Sequence, residues 1–287
     1  MLCVSSNILS KVDQLHQDHV VIRDVDQLND KLNILVAGKA DKLQIIADFD
    51  STLTKSIVDG KPTPHSLEIF ASAKSLSKKY RDGCKALEAK YGPKVSREKT
   101  EEELQRVYDQ WWDDHEILTA GENITLKDIE EAVDSINTPL RDGCTDMFNL
   151  LSKHQVPVVV LSAGLGEVVN YTLRDFKPTV ISNFIRMDDS GKILGFTKPT
   201  VSVYNKHKMS IPVDEVRENA ILIGDSLGDA IMADRVPNIK TILKIGFFIG
   251  LDQVQLQKYC NSFDVVVIND QTMNTVNAVL RLILDSS

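Results

Sequence analysis

Apolar residues in this chain gather into short runs that stop abruptly at acidic or small residues, with helix-spaced stretches between them. Short runs with β-branched residues, bounded by turn-formers, read as buried strands. On that pattern, strands are expected over residues 43–48, 157–161, 180–182, 220–224, 240–243 and 264–268. Residues 20–36 predict a helical region packed on the core, and residues 271–284 a closing helix. Helices joining most of the strands imply parallel pairing through right-handed crossovers. The expected fold class is α/β with a parallel-sheet core.

The ends of these runs carry the chemistry. Leu43-Gln44-Ile45-Ile46-Ala47 leads into Asp48-Phe49-Asp50-Ser51-Thr52. A strand ending in Asp-x-Asp sets one carboxylate at the carboxyl edge of the sheet and the next just beyond it, where open α/β sheets hold their ligands. Two carboxylates this close repel unless positive charge lies between them, and a divalent cation with oxygen ligands is the simplest occupant. Taken alone, an ordinary turn after a strand explains the pair equally well. A second run, Val156 to Leu161, ends in Ser162-Ala163-Gly164-Leu165-Gly166. Small residues there let backbone N–H groups approach an anion at a helix N-terminus, although a turn that needs glycine would look the same. Asn205-Lys206-His207-Lys208 is solvated surface unless the fold carries a lysine to the aspartates. A third run, Ala220 to Ile223, ends in Gly224-Asp225-Ser226-Leu227-Gly228-Asp229 and repeats the acidic strand end.

Asp-x-Asp, then Ser, then Lys, then Gly-Asp-x-x-x-Asp, in that order, resembles the haloacid dehalogenase superfamily of phosphohydrolases over about residues 43–270. More closely, Ile46-Ala47-Asp48-Phe49-Asp50, Ser162-Ala163-Gly164-x-Gly166 and Ile181-Ser182-Asn183-Phe184 are similar to the cytosolic 5′-nucleotidase III (pyrimidine 5′-nucleotidase) family. So are Gly195-Phe196, Asn205-Lys206-His207, Gly224-Asp225-Ser226-x-Gly228-Asp229, Met232-Ala233-Asp234 and Leu243-Lys244-Ile245-Gly246. The resemblance implies a Rossmann-like core, residues 1–60 and 139–287, with an inserted, mainly helical cap, residues 61–138, that reads the base. It implies Mg²⁺-dependent hydrolysis of nucleoside 5′-monophosphates to nucleoside and phosphate. Asp48 would be the nucleophile that forms an aspartyl-phosphate, and Asp50 the general acid–base. Mg²⁺ would be held by Asp48, Asp50 (through its carbonyl) and Asp225, with Asp229 behind them. Ser162 and the backbone around Ala163 and Gly164 would grip the phosphate. Lys198, Lys206 and Lys208 are candidates by position for the cation beside the phosphate, and the match at Asn205-Lys206-His207 selects Lys206. The same groups would serve a phosphatase or nucleoside phosphotransferase acting on another small phosphomonoester.

The cap stretch is rich in Lys, Glu and Asp, and Asp59-Gly60 with Pro62, then residues 137–143, look like its hinges. Glu101-Glu102-Glu103 opens a helical pattern that continues through Tyr108, Trp111 and Trp112, the two tryptophans of the chain. Neighbours on a helix point about 100° apart, so one indole can pack inside the cap while the other faces a cleft. With the resemblance, Trp112 and Phe70 are the expected base-stacking positions. Gln110 stands where the family carries a base-contacting glutamate, and an amide both donates and accepts where a carboxylate only accepts. Trp-Trp resembles the 7-methylguanylate-preferring branch, whereas Gln110 loses charge complementarity with a cationic base, so pyrimidine and 7-methylguanine both stay open.

Composition narrows the surroundings. At 287 residues, with 43% apolar content, the chain can build a core and a cap. A net charge of −8 argues against a nucleic-acid polymer as partner. Cys3, Cys84, Cys144 and Cys260 form no C-x-x-C pair, so zinc is not expected. Wide cysteine spacing and a start without the basic, apolar pattern of a signal peptide point to the cytoplasm. No apolar run approaches the roughly 20 residues that cross a bilayer, so no membrane partner is expected, and the protein is expected to be monomeric.

Overall fold

The structure is a computed structural model that describes residues 7–95, 100–212 and 216–285; Cys3 lies outside them. The first regular strand is β1 (Val20–Ile22), followed by helix α1 (Val25–Lys42) and strand β2 (Leu43–Ala47). Two short strands, β3 (Ile57–Val58) and β4 (Lys61–Pro62), lead to helices α2 (Ser66–Ala71), α3 (Lys78–Val95), α4 (Glu101–Thr119) and α5 (Leu126–Ile136). The chain then returns through α6 (Cys144–Lys153), β5 (Val158–Leu165), α7 (Gly166–Thr172) and β6 (Thr179–Asn183). A hairpin, β7 (Ile185–Met187) and β8 (Ile193–Phe196), precedes β9 (Asn219–Gly224), β10 (Thr241–Phe248), α8 (Gln253–Ser262), β11 (Val265–Ile268) and α9 (Asn274–Leu284).

The main sheet has the order β1-β11-β10-β9-β2-β5-β6, parallel except for β1. Strand β2 lies inside the sheet between β9 and β5, and both of its faces are covered. Leu43, Ile45 and Ala47 pack with Leu28, Leu32 and Leu35 of α1 and with residues of α6 and α9. Ile46 faces the other way, with Leu161, Leu222, Met232 and Phe263. A separate core holds α2 to α5 together: Phe70, Tyr80, Trp112, Ile129 and Val133 pack with Val168 of α7 and Ile193 and Phe196 of the hairpin. The fold is therefore a Rossmann-like α/β core under a mainly helical layer.

The structure differs from the expectations in detail. Residues 20–22 are a strand, not the start of a helix. Val20-Val21-Ile22 pairs antiparallel with Val265–Val267 at the sheet edge, and α1 begins only after Asp24, whose side chain accepts from the Gln27 N–H at 2.9 Å. The strand expected over 240–243 continues to Phe248, because β9 pairs with it over Thr241–Gly246 and β11 takes over from Ile245 to Phe248. The β7–β8 hairpin has no counterpart in the sequence reading; it lies against α4 from the core side. No helix among the described residues is long and apolar enough to cross a membrane.

Candidate active site

The carboxyl ends of β2, β5 and β9 converge on a cavity of about 720 Å³ roofed by the helical layer. Asp48, Asp50, Ser162, Ala163, Gly164, Lys206, Asp225 and Asp229 all line it. Asp48 follows directly on β2, and its N–H donates to the Ile223 carbonyl of β9 at 3.0 Å. That bond carries the sheet register one residue past the strand and fixes where the carboxylate begins. Ser51, three residues on, adopts a left-handed φ of 61°. Its carbonyl accepts from the Arg141 guanidinium at 2.7 Å, which pins the turn beneath the site. Arg141 is buried, also donates to the Asp270 carbonyl at 2.7 Å, and lies over the Phe247 ring.

Lys206 reaches the aspartates from a short helical turn, Lys206–Lys208. Asn205 prepares that turn: its amide donates to the Thr200 carbonyl at 2.8 Å and accepts from the Ser202 N–H at 2.7 Å. Lys206 is 2% exposed, and its ammonium donates to Asp48 and, at 2.7 Å, to Asp229. Lys198 stands elsewhere, paired with Glu116 at 2.7 Å. Asp229 is locked by its own loop: Oδ2 accepts from the N–H of Ser226 at 2.9 Å and from its hydroxyl at 2.8 Å. Gly224 makes this possible, since a Cβ there would lie 2.3 Å from the Asp229 Cβ.

Burial is the largest influence on these acids. It pushes Asp48 up to about 6 although Lys206 pulls the other way. It also raises Asp225, where Asp48 and Asp229 add repulsion. Asp50 is raised too, against His65 and two bonds from Ser66. Burial would lower the Lys206 ammonium, but Asp229 and Asp48 outweigh it and the net shift is upward. Four carboxylates thus crowd one ammonium, which bonds two of them, Asp48 and Asp229. Oxygens of Asp48, Asp225 and Asp229 lie within 4.8 Å of one another and could hold a metal ion. An all-oxygen donor set with surplus negative charge fits a hard divalent cation. The Asp50 carboxylate is not in this cluster; Ser66 holds it.

On the phosphate side, Ser162 Oγ accepts from the Gly164 N–H at 3.0 Å. The Gly164 carbonyl accepts from the Ser182 hydroxyl at 3.0 Å, and the Ala163 carbonyl from the Asn183 amide at 2.9 Å. The carbonyls of Ala163 and Gly164, at the end of β5, are thereby engaged away from the cavity.

The far wall differs from the sequence expectation. Phe70 is completely buried, packs edge-on against Tyr80 and does not line the cavity. Gln110 is exposed and is not among the lining residues, because its direction on α4 turns it to solvent. Trp112 touches the cavity but is 2% exposed, sealed edge-on against Phe196 of the hairpin. Trp111, half-buried, and Tyr108, one turn earlier on α4, offer the accessible rings, with His65 also lining the space.

Sequence reasoning missed His115. It lies four residues after Trp111, on the same face of α4, and the aromatic spacing could have flagged it. Its Nε2 sits 2.9 Å from the Tyr80 hydroxyl, while Nδ1 is buried without a partner. Burial lowers its pKa to about 4. The unfolded chain then takes up a proton near 6.5 that the folded chain refuses until about 4. Stability is therefore full above about 6.5 and is lost as pH falls through that window, by about 3 kcal/mol between pH 7 and 4. Thermal denaturation across that range should show this acid slope flattened in His115→Gln; an unchanged slope would exclude His115 as its source.

The sheet order and the aspartate-lined strand ends define a haloacid dehalogenase-type fold. A HAD family hydrolase from Salmonella enterica serovar Typhi shares it at a TM-score of 0.53 and 13% identity, over 85% of this chain and 72% of that one. Within that fold the chain belongs to the pyrimidine 5′-nucleotidase (UMPH-1) family, whose model matches residues 51–284. It is 32% identical to the 7-methylguanosine phosphate-specific 5′-nucleotidase of Gallus gallus, over 95% of this chain and 99% of that protein. The structure of cytosolic 5′-nucleotidase IIIB bound to cytidine superposes with a TM-score of 0.89 at 32% identity, over 96% of each chain.

Proposed function

We propose that this protein is a cytoplasmic, monomeric, Mg²⁺-dependent 5′-nucleotidase that hydrolyses nucleoside 5′-monophosphates of pyrimidine or 7-methylguanine type. The observation that carries the reading is the buried Asp48–Lys206 pair at the end of β2, opening onto a cavity with Trp111 and Tyr108 on its opposite wall. A carboxylate beside an ammonium serves phosphoryl transfer, and an aromatic wall serves a base, where stacking contributes about 1–3 kcal/mol.

In this reading, a carboxylate oxygen of Asp48 attacks the phosphorus in line. The P–O5′ bond breaks, its electron pair stays on O5′, and O5′ takes the proton of Asp50. Water then attacks the aspartyl-phosphate and gives its proton to Asp50, which releases phosphate and restores Asp48. Lys206 holds Asp48 in line and offsets charge on the equatorial oxygens. Ser162 and the backbone around Ala163 and Gly164, at the end of β5, bind the phosphate. Asp48, Asp225 and Asp229, with the backbone carbonyl of Asp50, would hold Mg²⁺, which when bound supplies further positive charge to the phosphoryl oxygens. Trp111, rather than Trp112, stacks on the base.

Phosphate release with Mg²⁺ across CMP, UMP, GMP, AMP and 7-methyl-GMP tests this. Turnover is expected for CMP, UMP or 7-methyl-GMP and to be weak for AMP. Trp111→Ala should raise KM for the preferred nucleotide about tenfold with little change in kcat. Release from 4-nitrophenyl phosphate but from no nucleotide would retain the phosphatase chemistry and reject the nucleotidase.

A further inference from the structure

The Asp50 carboxylate is held from the helical layer. Ser66 is the first residue of α2, just past the short β3–β4 pair. Its N–H donates to Asp50 Oδ1 at 2.9 Å, and its hydroxyl donates to Oδ2 at 2.7 Å. The same hydroxyl accepts from the N–H of Leu165, the last residue of β5, at 3.2 Å. Ser66 is fully buried. It is seated so closely on the phosphate-side loop that a Cβ on Gly164 would lie 1.8 Å from its Oγ. One side chain therefore joins a cap helix, a core strand and the acid.

We propose that Ser66 is a positioning residue that couples seating of the cap on the core to alignment of Asp50 for proton transfer. This rests on the nucleotidase reading above. Two donors on two oxygens fix both the rotamer and the plane of a carboxyl group, and each oxygen keeps a second lone pair for the transferred proton. Both donors belong to one residue, so they arrive and leave together with α2. If the cap lifts, Asp50 loses its alignment and the Leu165 N–H loses its acceptor at the same moment. Proton transfer is thereby confined to the closed, water-poor state.

The test compares two leaving groups on the full-length enzyme with Mg²⁺. The alkoxide of a nucleoside needs a proton to depart, and 4-nitrophenolate does not. The ratio kcat/KM covers steps only through formation of the aspartyl-phosphate, so later hydrolysis of that intermediate does not blur the comparison. Ser66→Ala is expected to lower kcat/KM for the preferred nucleotide tenfold or more, and that for 4-nitrophenyl phosphate less than about threefold. Ser66→Thr keeps the hydroxyl and should return the ratio of the two values to wild type, even if crowding lowers both. Ser66→Cys, with a weak donor in similar volume, gives the same readout should the alanine variant not fold. Equal losses on both substrates, or an unchanged nucleotide value, would overturn the proposal. A wild type that spares nucleotides but cleaves aryl phosphates would reject the nucleotidase reading instead, and the Ser66 comparison would then be read from an alkyl against an aryl phosphate.

Discussion

Replacing Asp48 with asparagine is expected to lower nucleotide turnover by about four orders of magnitude or more while the fold survives. The amide cannot form the aspartyl-phosphate, so no phosphoenzyme should be trapped from labelled substrate. The stability result is the less obvious half. Asp48 sits among like charges, and burial already pushes it up to about 6, so the native site disfavours its ionised form. A neutral side chain of the same shape removes one of four crowded carboxylates. It still offers an oxygen to Lys206, which keeps its bond to Asp229. Without divalent cation, the melting temperature of Asp48→Asn should therefore equal or exceed that of wild type. A variant that is inactive and also several degrees less stable would recast Asp48 as structural.

That contrast reflects how the sequence encodes the two kinds of residue. The run Leu43–Ala47 was legible because a strand buried on both faces must be apolar almost throughout, and the acid at its end stood out against that background. Asp225 and Asp229 were legible for the same reason. Val20–Ile22 was not, because a three-residue edge strand is decided by its partner β11, at the other end of the chain. Helical spacing said that Trp111 and Trp112 face different ways, but not which way. Phe196, from a hairpin without a clear pattern of its own, seals Trp112 and leaves Trp111 to the cavity. Phe70 and Gln110 were placed by resemblance and by adjacency to the indoles, and neither consideration fixes the direction of a side chain on its helix. Ser66 reads locally as a helix start after Pro64-His65, and nothing nearby signals that Asp50 lies above it. Arg141 reads as a hinge charge, yet it is buried beneath the turn that presents Asp50.

Lys206→Met should abolish turnover and, in the presence of a chelator, destabilise the protein by about 3–5 kcal/mol, the usual cost of leaving buried charge uncompensated. Asp48 and Asp229 both lose a charge-assisted bond, and Asp225, already raised by their repulsion, feels that repulsion undiminished. Methionine fills much of the lysine volume, so the loss reports on charge more than on packing. The variant also measures where the cation binds. A divalent cation bound in the Asp48–Asp225–Asp229 cluster would share the carboxylates of Asp48 and Asp229 with the ammonium, and the two would repel each other. Removing the ammonium makes the cluster more anionic and should tighten its hold on the cation. Ligand stabilisation grows as RT ln(1 + [L]/Kd). The rise in melting temperature on adding Mg²⁺ should therefore be larger in Lys206→Met than in wild type, even though its absolute stability is lower. Equal Mg²⁺-induced shifts in the two proteins would put the cation outside the Asp48–Asp225–Asp229 cluster, and a smaller shift in the variant would make Lys206 a support of the metal site instead of its electrostatic competitor.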